Sequence, residues 1–322
     1  MLTDAQVAQF FDEGYVVVPD LFAPAELEPL RREIADLVDG AVRRLVLEGR
    51  ITDDHEGEPF ETRLTRLLAD HPESAGEFWN AVEGRAGGGH TGEEMFRLLT
   101  HPRLLDAMER LMGPEIVASS VYRIRPKVPG LGKGVVPWHQ DSGYFEEHCD
   151  RSLIVTCWIP LVDSTPENGC LHVLPRAHRQ GVVTHHTGGN AGFLVIEDPD
   201  LPRPLPEAVP VPVPRGGALL LTNLAPHCST PNTTDIIRWS VDVRYQSADL
   251  PTNASQDPDQ FRRDAPEAEI ACYPPEGDFI VRSAVHPERV HTYAQFVARR
   301  SRYDSASLPG PSRGWQPVGT RA

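Results

Sequence analysis

The sequence predicts a mainly β protein with flanking helices, and three observations support this fold class. Between residues 116 and 246, short runs rich in β-branched residues alternate with turn-forming clusters, which is the pattern of an all-β barrel or sandwich. The N-terminal part shows helical periodicity instead, and the chain becomes polar and turn-rich after Leu250. At 322 residues the chain is long enough for one large domain or at most two, and we expect one. Within that domain we expect N-terminal helices over residues 1–114, a β core over 115–250 and a C-terminal extension over 251–322.

Two helices are predicted near the N-terminus. Residues 3–13 form the first, which Gly14 ends, and residues 24–48 form the second, which begins at Pro24. Apolar residues recur at helical spacing in the second helix, so one of its faces is expected to pack on a sheet. Residues 49–93 are polar and are expected to form loops. Further helices are predicted at residues 93–99, 101–112 and 288–300, the last with Tyr293, Phe296 and Val297 on its buried face.

The β region contains one clear strand, one proline-rich segment and one glycine-rich loop. Residues 235–245 alternate as a strand does, with Arg238, Ser240, Asp242 and Arg244 on the polar face. The proline-rich residues 201–214 lack backbone donors for a central strand, so we expect edge or connecting structure there. Residues 184–192 are expected to form a flexible loop that closes over a substrate. Its histidines, His185 and His186, are expected to be solvated or to contact substrate rather than to form a second metal site.

Composition disfavours several classes of partner. The net charge of −15 argues against nucleic acid, because nucleic-acid binding rewards basic patches. The longest apolar run, residues 153–162, is too short to cross a bilayer, and no signal-peptide pattern follows Met1. We therefore expect a cytoplasmic monomer or homodimer whose partner is a small-molecule substrate, not a nucleic acid or a membrane.

Three residues form a candidate metal site. His139 and Asp141 are two positions apart, so on an extended segment both side chains project to the same side. His227 follows 86 residues after Asp141. Two imidazoles and one carboxylate are the ligands of a facial triad, which holds one face of a ferrous ion and leaves the other face open. If the three side chains meet, the chain is an oxygen-activating enzyme.

An arginine near this site is a candidate ligand for an acidic co-substrate. A guanidinium is a rigid fork of donors that matches a carboxylate, so it suits the distal carboxylate of a 2-oxo acid. Arg238 lies eleven positions after His227, and Arg244 lies on the same face of the predicted strand. An arginine here can also be a surface residue paired with Asp242. Spacing alone does not choose between the two arginines.

Several motifs follow one another along roughly the first 250 residues. The chain opens with a helix, a glycine stop and a short strand over residues 2–18. Further along are Trp138-His-Gln-Asp141, the run 153–162, Glu167-Asn-Gly-Cys-Leu-His-Val-Leu-Pro-Arg-Ala-His178, Pro226-His227 and Arg238. In this order and spacing the sequence resembles the phytanoyl-CoA hydroxylase family of iron(II)- and 2-oxoglutarate-dependent dioxygenases.

The resemblance implies a jelly-roll core, a double-stranded β-helix, and it assigns roles to individual residues. His139, Asp141 and His227 are the implied Fe(II) ligands. Arg238 rather than Arg244 is the implied anchor of the co-substrate 2-oxoglutarate, because the family places that arginine eleven residues after the second histidine. The other implied co-substrate contacts are Ser229, Trp158 and Thr156.

The resemblance also implies a reaction. Dioxygen and 2-oxoglutarate would be consumed to hydroxylate, or otherwise oxidise, an unactivated C–H bond of a small organic molecule, in secondary-metabolite biosynthesis. Related halogenases replace the carboxylate at the position of Asp141 with a small residue, so its presence here favours hydroxylation. Two alternatives stay open, namely a metal-dependent enzyme without redox chemistry and a barrel that only binds a small molecule. The spacing of Arg238 argues against the first alternative.

Four residues are candidate substrate contacts. Tyr144 and Phe145 follow the metal motif and either stack on a substrate or fill the mouth of the barrel. His172 alternates with apolar neighbours and is either a substrate contact or a core histidine. Arg123 shares one face of its strand with Arg125, and this face either enters the site or is exposed to solvent.

Overall fold

The computed structural model describes residues 1–83, 90–119, 122–189, 192–250, 278–305 and 313–320, so the first part of the predicted C-terminal extension, residues 251–277, lies outside the described residues. The helices are α1 (Asp4–Glu13), α2 (Glu28–Leu47), α3 (Arg63–Asp70), α4 (Ala75–Glu83), α5 (Glu93–Leu99), α6 (Pro102–Met112) and α7 (Tyr293–Ser305). The strands are β1 (Tyr15–Val18), β2 (Ile116–Ala118), β3 (Arg123–Lys127), β4 (Ile154–Pro160), β5 (Leu171–Val173), β6 (His186–Thr187), β7 (Val209–Val211), β8 (Ala218–Thr222), β9 (His227–Ser229), β10 (Arg238–Ser247), β11 (Phe279–Arg282) and β12 (Gln316–Pro317).

The N-terminal helices begin and end close to the predicted positions. Thr3 caps α1, because its side chain accepts a hydrogen bond from Gln6 N, and Gly14 ends the helix in the left-handed conformation (φ 87°). A 3₁₀ turn at Pro24–Leu27 precedes α2, which packs a buried stripe of apolar residues into the main core. The predicted helices at 93–99 and 101–112 are confirmed as α5 and α6.

Two helices lie where loops are expected. Residues 49–93 contain α3 and α4, so the expectation of loops is wrong for this segment. The buried residues of α3 are Leu64, Leu67 and Leu68, and those of α4 are Phe78 and Val82. These apolar positions recur at three- and four-residue intervals, but the many charged residues between them make the segment polar on average. Packing against α2 and the sheet therefore decides the structure here.

The C-terminal helix begins later than predicted. Residues Pro287–Arg289 form a 3₁₀ turn, and α7 begins at Tyr293 rather than at residue 288. Phe296 is fully buried against Phe279, as a core position should be, whereas Tyr293 is 37% exposed. The predicted burial of Tyr293 is therefore wrong.

Two antiparallel sheets face each other and form the core. Among the described residues, seven strands form the large sheet in the order β1-β8-β4-β10-β2-β11, with β3 also paired to β10. The small sheet has the order β7-β5-β9, and apolar side chains from both sheets meet between them. This arrangement confirms the predicted jelly-roll core. The proline-rich segment supplies β7, which lies at the edge of the small sheet as expected.

Strand β10 separates the core from the cavity between the sheets. Its apolar face, which includes Trp239 and Tyr245, packs into the main core with the helices. Its polar face, which includes Arg238, Asp242 and Arg244, lines the cavity. The polar and apolar faces of β10 are thus the ones that the alternating sequence pattern predicts. In the described part of the chain, every helix is too short or too polar to span a membrane.

Candidate metal and co-substrate site

The two histidines of the candidate metal site are held together by backbone pairing. His139 N donates to His227 O over 3.0 Å, and His227 N donates to His139 O over 2.9 Å, as in an antiparallel bridge. The centroids of the two imidazole rings are 4.2 Å apart. The pairing therefore brings together two residues that are distant in sequence, and it aims both rings at the same point.

Both imidazoles are oriented for metal binding through Nε2. The Nδ1 of His139 is 2.9 Å from Pro137 O, and the Nδ1 of His227 is 3.0 Å from Ala225 O. Each Nδ1 therefore carries a proton, which it donates to the backbone carbonyl. The lone pair of each Nε2 is then available to bind a metal ion. Asp141 Oδ1 lies 3.8 Å from His139 Nε2, which is too long for a direct hydrogen bond. The donor atoms of the three residues lie within 4.8 Å of one another, and all three residues are buried.

Electrostatics keeps His139 and Asp141 in the forms that bind a metal ion. Burial, followed by the nearby His227, lowers the pKa of His139 to about 3, so the ring is neutral at physiological pH. Burial alone would raise the pKa of Asp141, but Arg244 and then the two histidines lower it below its ordinary value. A neutral imidazole and an ionised carboxylate are the forms that bind a divalent ion. The residues present therefore fit a divalent metal with open coordination positions.

Arg244 and Thr156 fix the carboxylate of Asp141. Arg244 Nε donates to Asp141 Oδ2 and Arg244 Nη2 donates to Asp141 Oδ1, each over 3.1 Å. The hydroxyl of Thr156 also donates to Oδ2. Thus Thr156, an expected co-substrate contact, supports the metal ligand, and so does Arg244. A bidentate guanidinium fixes both the position and the rotation of a carboxylate.

A second carboxylate, Asp242, extends this network along the floor of the cavity. It accepts from Arg244 Nη1 over 3.0 Å and from Arg125 Nε over 2.7 Å. Arg123 pairs with Asp242 in the register of β3 and β10 and also lines the cavity. The face shared by Arg123 and Arg125 therefore enters the site.

Two buried basic side chains, Arg238 and Lys127, have no carboxylate within ion-pair distance among the described residues, and we call them the cation pair. Arg238 Nη1 donates to Ser240 Oγ over 2.7 Å, its guanidinium lies 5.0 Å from the centroid of the Trp158 ring, and its Nε has no hydrogen-bond partner there. Lys127 Nζ donates to Ser229 Oγ over 2.7 Å and to the carbonyl of Thr230. A buried charge without a counter-ion is costly, so this pair indicates a site for an anion.

The pKa values of this pair reflect the missing counter-ion. Burial, followed by the charge of Arg238, lowers the pKa of Lys127 to about 6. Burial, followed by the charge of Arg125, lowers the pKa of Arg238 to about 9. The register of β3 and β10 places Arg238 opposite Lys127. A bound carboxylate would favour the charged form of both groups.

Sequence reasoning did not select Lys127, although a signal was present. Arg123, Arg125 and Lys127 are at alternate positions of β3, so an inward-facing Arg123 implies an inward-facing Lys127. Gly169 explains how the lysine fits. This glycine has φ +81°, and a Cβ at its position would lie 2.7 Å from Lys127 Cδ. The Glu167-Asn-Gly motif thus leaves room for the lysine side chain.

One cavity of about 290 Å³ connects the metal-ligand set with the cation pair. It lies between the two sheets, with walls that include Trp158, Leu171 and Leu221. The predicted site residues that line it are His139, Asp141, His227, Arg238, Ser229, Trp158, Thr156 and Arg123.

The other three predicted substrate contacts lie outside the cavity lining. Phe145 is buried in a separate cluster with Cys149 and Ile154, so it fills the interior. The hydroxyl of Tyr144 accepts from Leu194 N over 2.8 Å, and its ring lies edge-on to His139 at 5.9 Å. His172 alternates with the cavity-lining Leu171 and therefore faces away from the cavity.

His185 and His186 are buried within the protein, so the expectation that they are solvated is wrong. Neither residue lines the cavity. His185 Nε2 accepts from Gln140 N over 2.9 Å, and its Nδ1 donates to Val183 O over 2.8 Å. His186 Nε2 lies 2.9 Å from Asp200 Oδ2. The loop that carries them is therefore fixed to the segment between the metal ligands His139 and Asp141.

The fold and the site together define a class of protein. It is a double-stranded β-helix whose cavity contains two sites. One site has two imidazoles and one carboxylate. The other has two basic side chains that lack a carboxylate partner among the described residues. The family model for phytanoyl-CoA dioxygenase (PhyH) matches residues 10–240. This protein belongs to the phytanoyl-CoA dioxygenase family.

Similar proteins cover most of the chain. Phytanoyl-CoA dioxygenase domain-containing protein 1 of Danio rerio is 28% identical over an alignment of 266 residues, gaps included, and the alignment covers 74% of this chain and 88% of the relative. Methylphosphonate hydroxylase of Gimesia maris is 28% identical over 247 residues, which are 76% of this chain and 81% of the relative.

Solved structures share the fold at low sequence identity. The non-heme monooxygenase ThoJ has a TM-score of 0.55 at 18% identity and covers 93% of this chain and 97% of its own. EvdO2 from Micromonospora carbonacea var. aurantiaca, in complex with 2-oxoglutarate, has a TM-score of 0.50 at 22% identity and covers 82% of this chain and 96% of its own.

Proposed function

We propose that this protein is an Fe(II)- and 2-oxoglutarate-dependent dioxygenase that hydroxylates, or otherwise oxidises, an unactivated C–H bond of a small organic molecule. The observation that carries the proposal is a single cavity that joins a metal-ligand set to two buried cations with no carboxylate partner among the described residues. The relatives support the same class, since their names include dioxygenases and a hydroxylase.

The metal role follows from the donor set. His139 and His227 would bind Fe(II) through Nε2, and Asp141 would bind it through its carboxylate, whose Oδ1 lies 3.8 Å from His139 Nε2. These three ligands occupy one face of an ion and leave the other open. When bound, Fe(II) with 2-oxoglutarate supplies the activation of dioxygen, which no side chain can perform.

The co-substrate role follows from the cation pair. Arg238 and Lys127 would bind the distal carboxylate of 2-oxoglutarate, and Ser229, which already accepts from Lys127, would add a hydroxyl donor. Trp158 lies beside the Arg238 guanidinium and would limit the position of the carbon chain. EvdO2, which shares the fold, is described as a complex with 2-oxoglutarate.

The remaining residues would orient the reactants and exclude water. Arg244 and Thr156 hold the carboxylate of Asp141, so the metal ligand does not need to reorganise on binding. Apolar side chains on both sheets, including Leu171 and Leu221, close the cavity walls. Exact placement matters because a displacement of about 1 Å in a reacting group can cost on the order of a hundredfold in rate.

The cavity limits the substrate. A volume of about 290 Å³ is at the low end for ligand pockets, so 2-oxoglutarate leaves room for a small molecule or for one end of a larger one. Arg123, Arg125 and Phe193 also line the cavity, and we propose them as substrate contacts.

We further propose a cytoplasmic enzyme of secondary-metabolite biosynthesis, with hydroxylation favoured because Asp141 retains its carboxylate.

The test is formation of succinate from 2-oxoglutarate, measured with Fe(II) or Zn(II) and with or without dioxygen. We expect succinate only with Fe(II) and dioxygen, and its loss in His139→Ala and His227→Ala. His172→Ala is the matched control, since this histidine faces away from the cavity, and it should retain turnover. Wild-type rates in His139→Ala would overturn the metal assignment. Substrate conversion with Zn(II) and without 2-oxoglutarate would instead indicate a non-redox enzyme.

A further inference from the structure

A short C-terminal segment returns to the metal site. Residues 313–320, which we call the C-terminal strap, lie along the loop that carries His185 and His186. Within the strap, β12 pairs in parallel with β6, and Val318 N donates to Thr187 O over 2.9 Å. Near its end, Gly319 N donates to Glu197 Oε1 over 3.2 Å.

Arg313 fixes the strap to the loop that contains the first two metal ligands. We call residues 139–150 the metal loop, since it contains His139 and Asp141. The Arg313 side chain is only 4% exposed and makes a bidentate ion pair with Asp150, with one Nη1–Oδ2 distance of 3.0 Å. Its guanidinium also donates to the carbonyls of Phe145 and Glu146. A buried arginine with this many acceptors in one loop holds the backbone of that loop in place.

Trp315 contacts the metal loop two residues after Asp141. Its indole Nε1 donates to Gly143 O over 2.8 Å, and its ring centroid lies 5.3 Å from that of His185. His185 in turn accepts from Gln140 N over 2.9 Å. The approach is close, because a Cβ at Gly143 would lie 2.7 Å from the His185 ring. Strap, His185 and metal loop thus form one packed unit.

We propose that Arg313 and Trp315 are positioning residues for the metal site, and that strap docking and metal binding stabilise each other. The proposal rests on the metal-binding part of the proposed function. Asp141 lies between two points that the strap fixes, Gln140 through His185 and Gly143 through Trp315. A coupling of this kind is reciprocal, so a metal ion must strengthen strap docking by the same factor by which the docked strap strengthens metal binding.

The first test measures the dissociation constant of Mn(II), a redox-stable probe, by calorimetry. Outer-shell partners of metal ligands affect affinity by about 10- to 100-fold, so Arg313→Gln and Trp315→Ala should raise the Kd roughly tenfold or more. Trp315→Phe, which keeps a ring but loses the N–H donor, should have an intermediate effect. Gln316→Ala is the matched control, because in the described part of the chain this side chain bonds only to the Gly314 carbonyl within the strap. Its Kd for Mn(II) should equal that of wild type.

The second test follows the strap in the wild-type protein, so it does not depend on the folding of the strap variants. Hydrogen exchange at the Val318 amide should slow when Mn(II) is added, and this effect should vanish in His227→Ala. At saturating metal, the KM for 2-oxoglutarate should change less than twofold in the strap variants, because the cation pair is not in contact with the strap. Wild-type Mn(II) affinity in folded Arg313→Gln and Trp315→Ala, together with loss of binding in His227→Ala, would overturn the strap proposal while the metal site stands. Failure of wild type to bind Mn(II) would overturn both.

Discussion

Arg238 and Arg244 lie six residues apart on the same face of β10, yet their partners differ completely. Arg244 pairs with both oxygens of Asp141, whereas the Arg238 side chain has, among the described residues, Ser240 as its one hydrogen-bond acceptor and Trp158 as a ring neighbour. The register decides this, because it places Arg244 opposite Thr156, beside the metal ligands, and Arg238 opposite Lys127. This strand register cannot be predicted from residue type and spacing alone.

The two arginines should therefore have separable functions. Arg238→Gln should raise the Kd for 2-oxoglutarate by about 30-fold or more, since truncating one side of a buried charge pair costs about 2 kcal/mol or more. It should leave Mn(II) binding unchanged. Arg244→Lys, which loses the fork, should weaken Mn(II) binding by roughly tenfold or more. Calorimetric titrations of Mn(II), and then of 2-oxoglutarate at saturating Mn(II), separate the two effects. The opposite pattern would exchange the roles.

Lys127 should make 2-oxoglutarate binding depend on pH. Its pKa in the free protein is lowered to about 6, first by burial and then by Arg238, and a bound carboxylate would raise it. Between these two pKa values, binding takes up a proton, so affinity should fall by up to about tenfold per pH unit above pH 6. Calorimetry between pH 6 and 8, in buffers of different ionisation enthalpy, measures the uptake. The slope should disappear in Lys127→Met, and an unchanged slope would assign the proton to another group.

At the scale of elements, β10 carries both stability and function. One face holds the polar residues of the cavity, and the other holds Trp239, which stacks on Phe60 with centroids 4.9 Å apart and donates to Phe60 O over 3.1 Å. The period-two pattern predicts these faces correctly because the strand separates two very different environments. The pattern of α3 and α4 is weaker, since short amphipathic helices are stabilised by the surface on which they pack.

The apolar face of β10 provides a stability prediction. Trp239→Ala should lower the free energy of unfolding by about 3–5 kcal/mol, the usual cost of truncating a buried tryptophan, with the Phe60 carbonyl also losing its donor. Urea unfolding followed by circular dichroism measures this change. Val46→Ala on the exposed face of α2 is the control and should change stability by less than about 0.5 kcal/mol. A loss below about 1 kcal/mol in Trp239→Ala would mean that this face carries little of the fold's stability.

At the scale of the whole molecule, the charge is divided unevenly. The chain has a net charge of −15, but six basic and only three acidic side chains line the cavity: Arg123, Arg125, Lys127, Lys133, Arg238 and Arg244 against Glu83, Asp141 and Asp242. Net charge therefore describes the surface and says little about the site. The concentration of positive charge agrees with an acidic co-substrate.

Local signals explain which parts of the site could be predicted from the sequence. His139 and Asp141 are two residues apart on an extended segment, so their common direction follows from strand geometry alone. The inward direction of Lys127 follows from its strand in the same way, but its role depends on pairing with β10 more than 100 residues later. The contact between Trp315 and Gly143 spans 172 residues and has no periodicity that would reveal it. Long-range pairing, rather than local propensity, determines these features.

We propose that one cavity holds Fe(II) and 2-oxoglutarate together. An anaerobic titration followed by visible absorption measures this joint binding. Chelation of Fe(II) by a 2-oxo acid gives a charge-transfer band that neither component shows alone. In wild type the band should saturate at one equivalent of each component. It should be absent in His227→Ala, and in Arg238→Gln it should require much more 2-oxoglutarate. A wild-type band that persists unchanged in His227→Ala, or no band in wild type, would contradict the account.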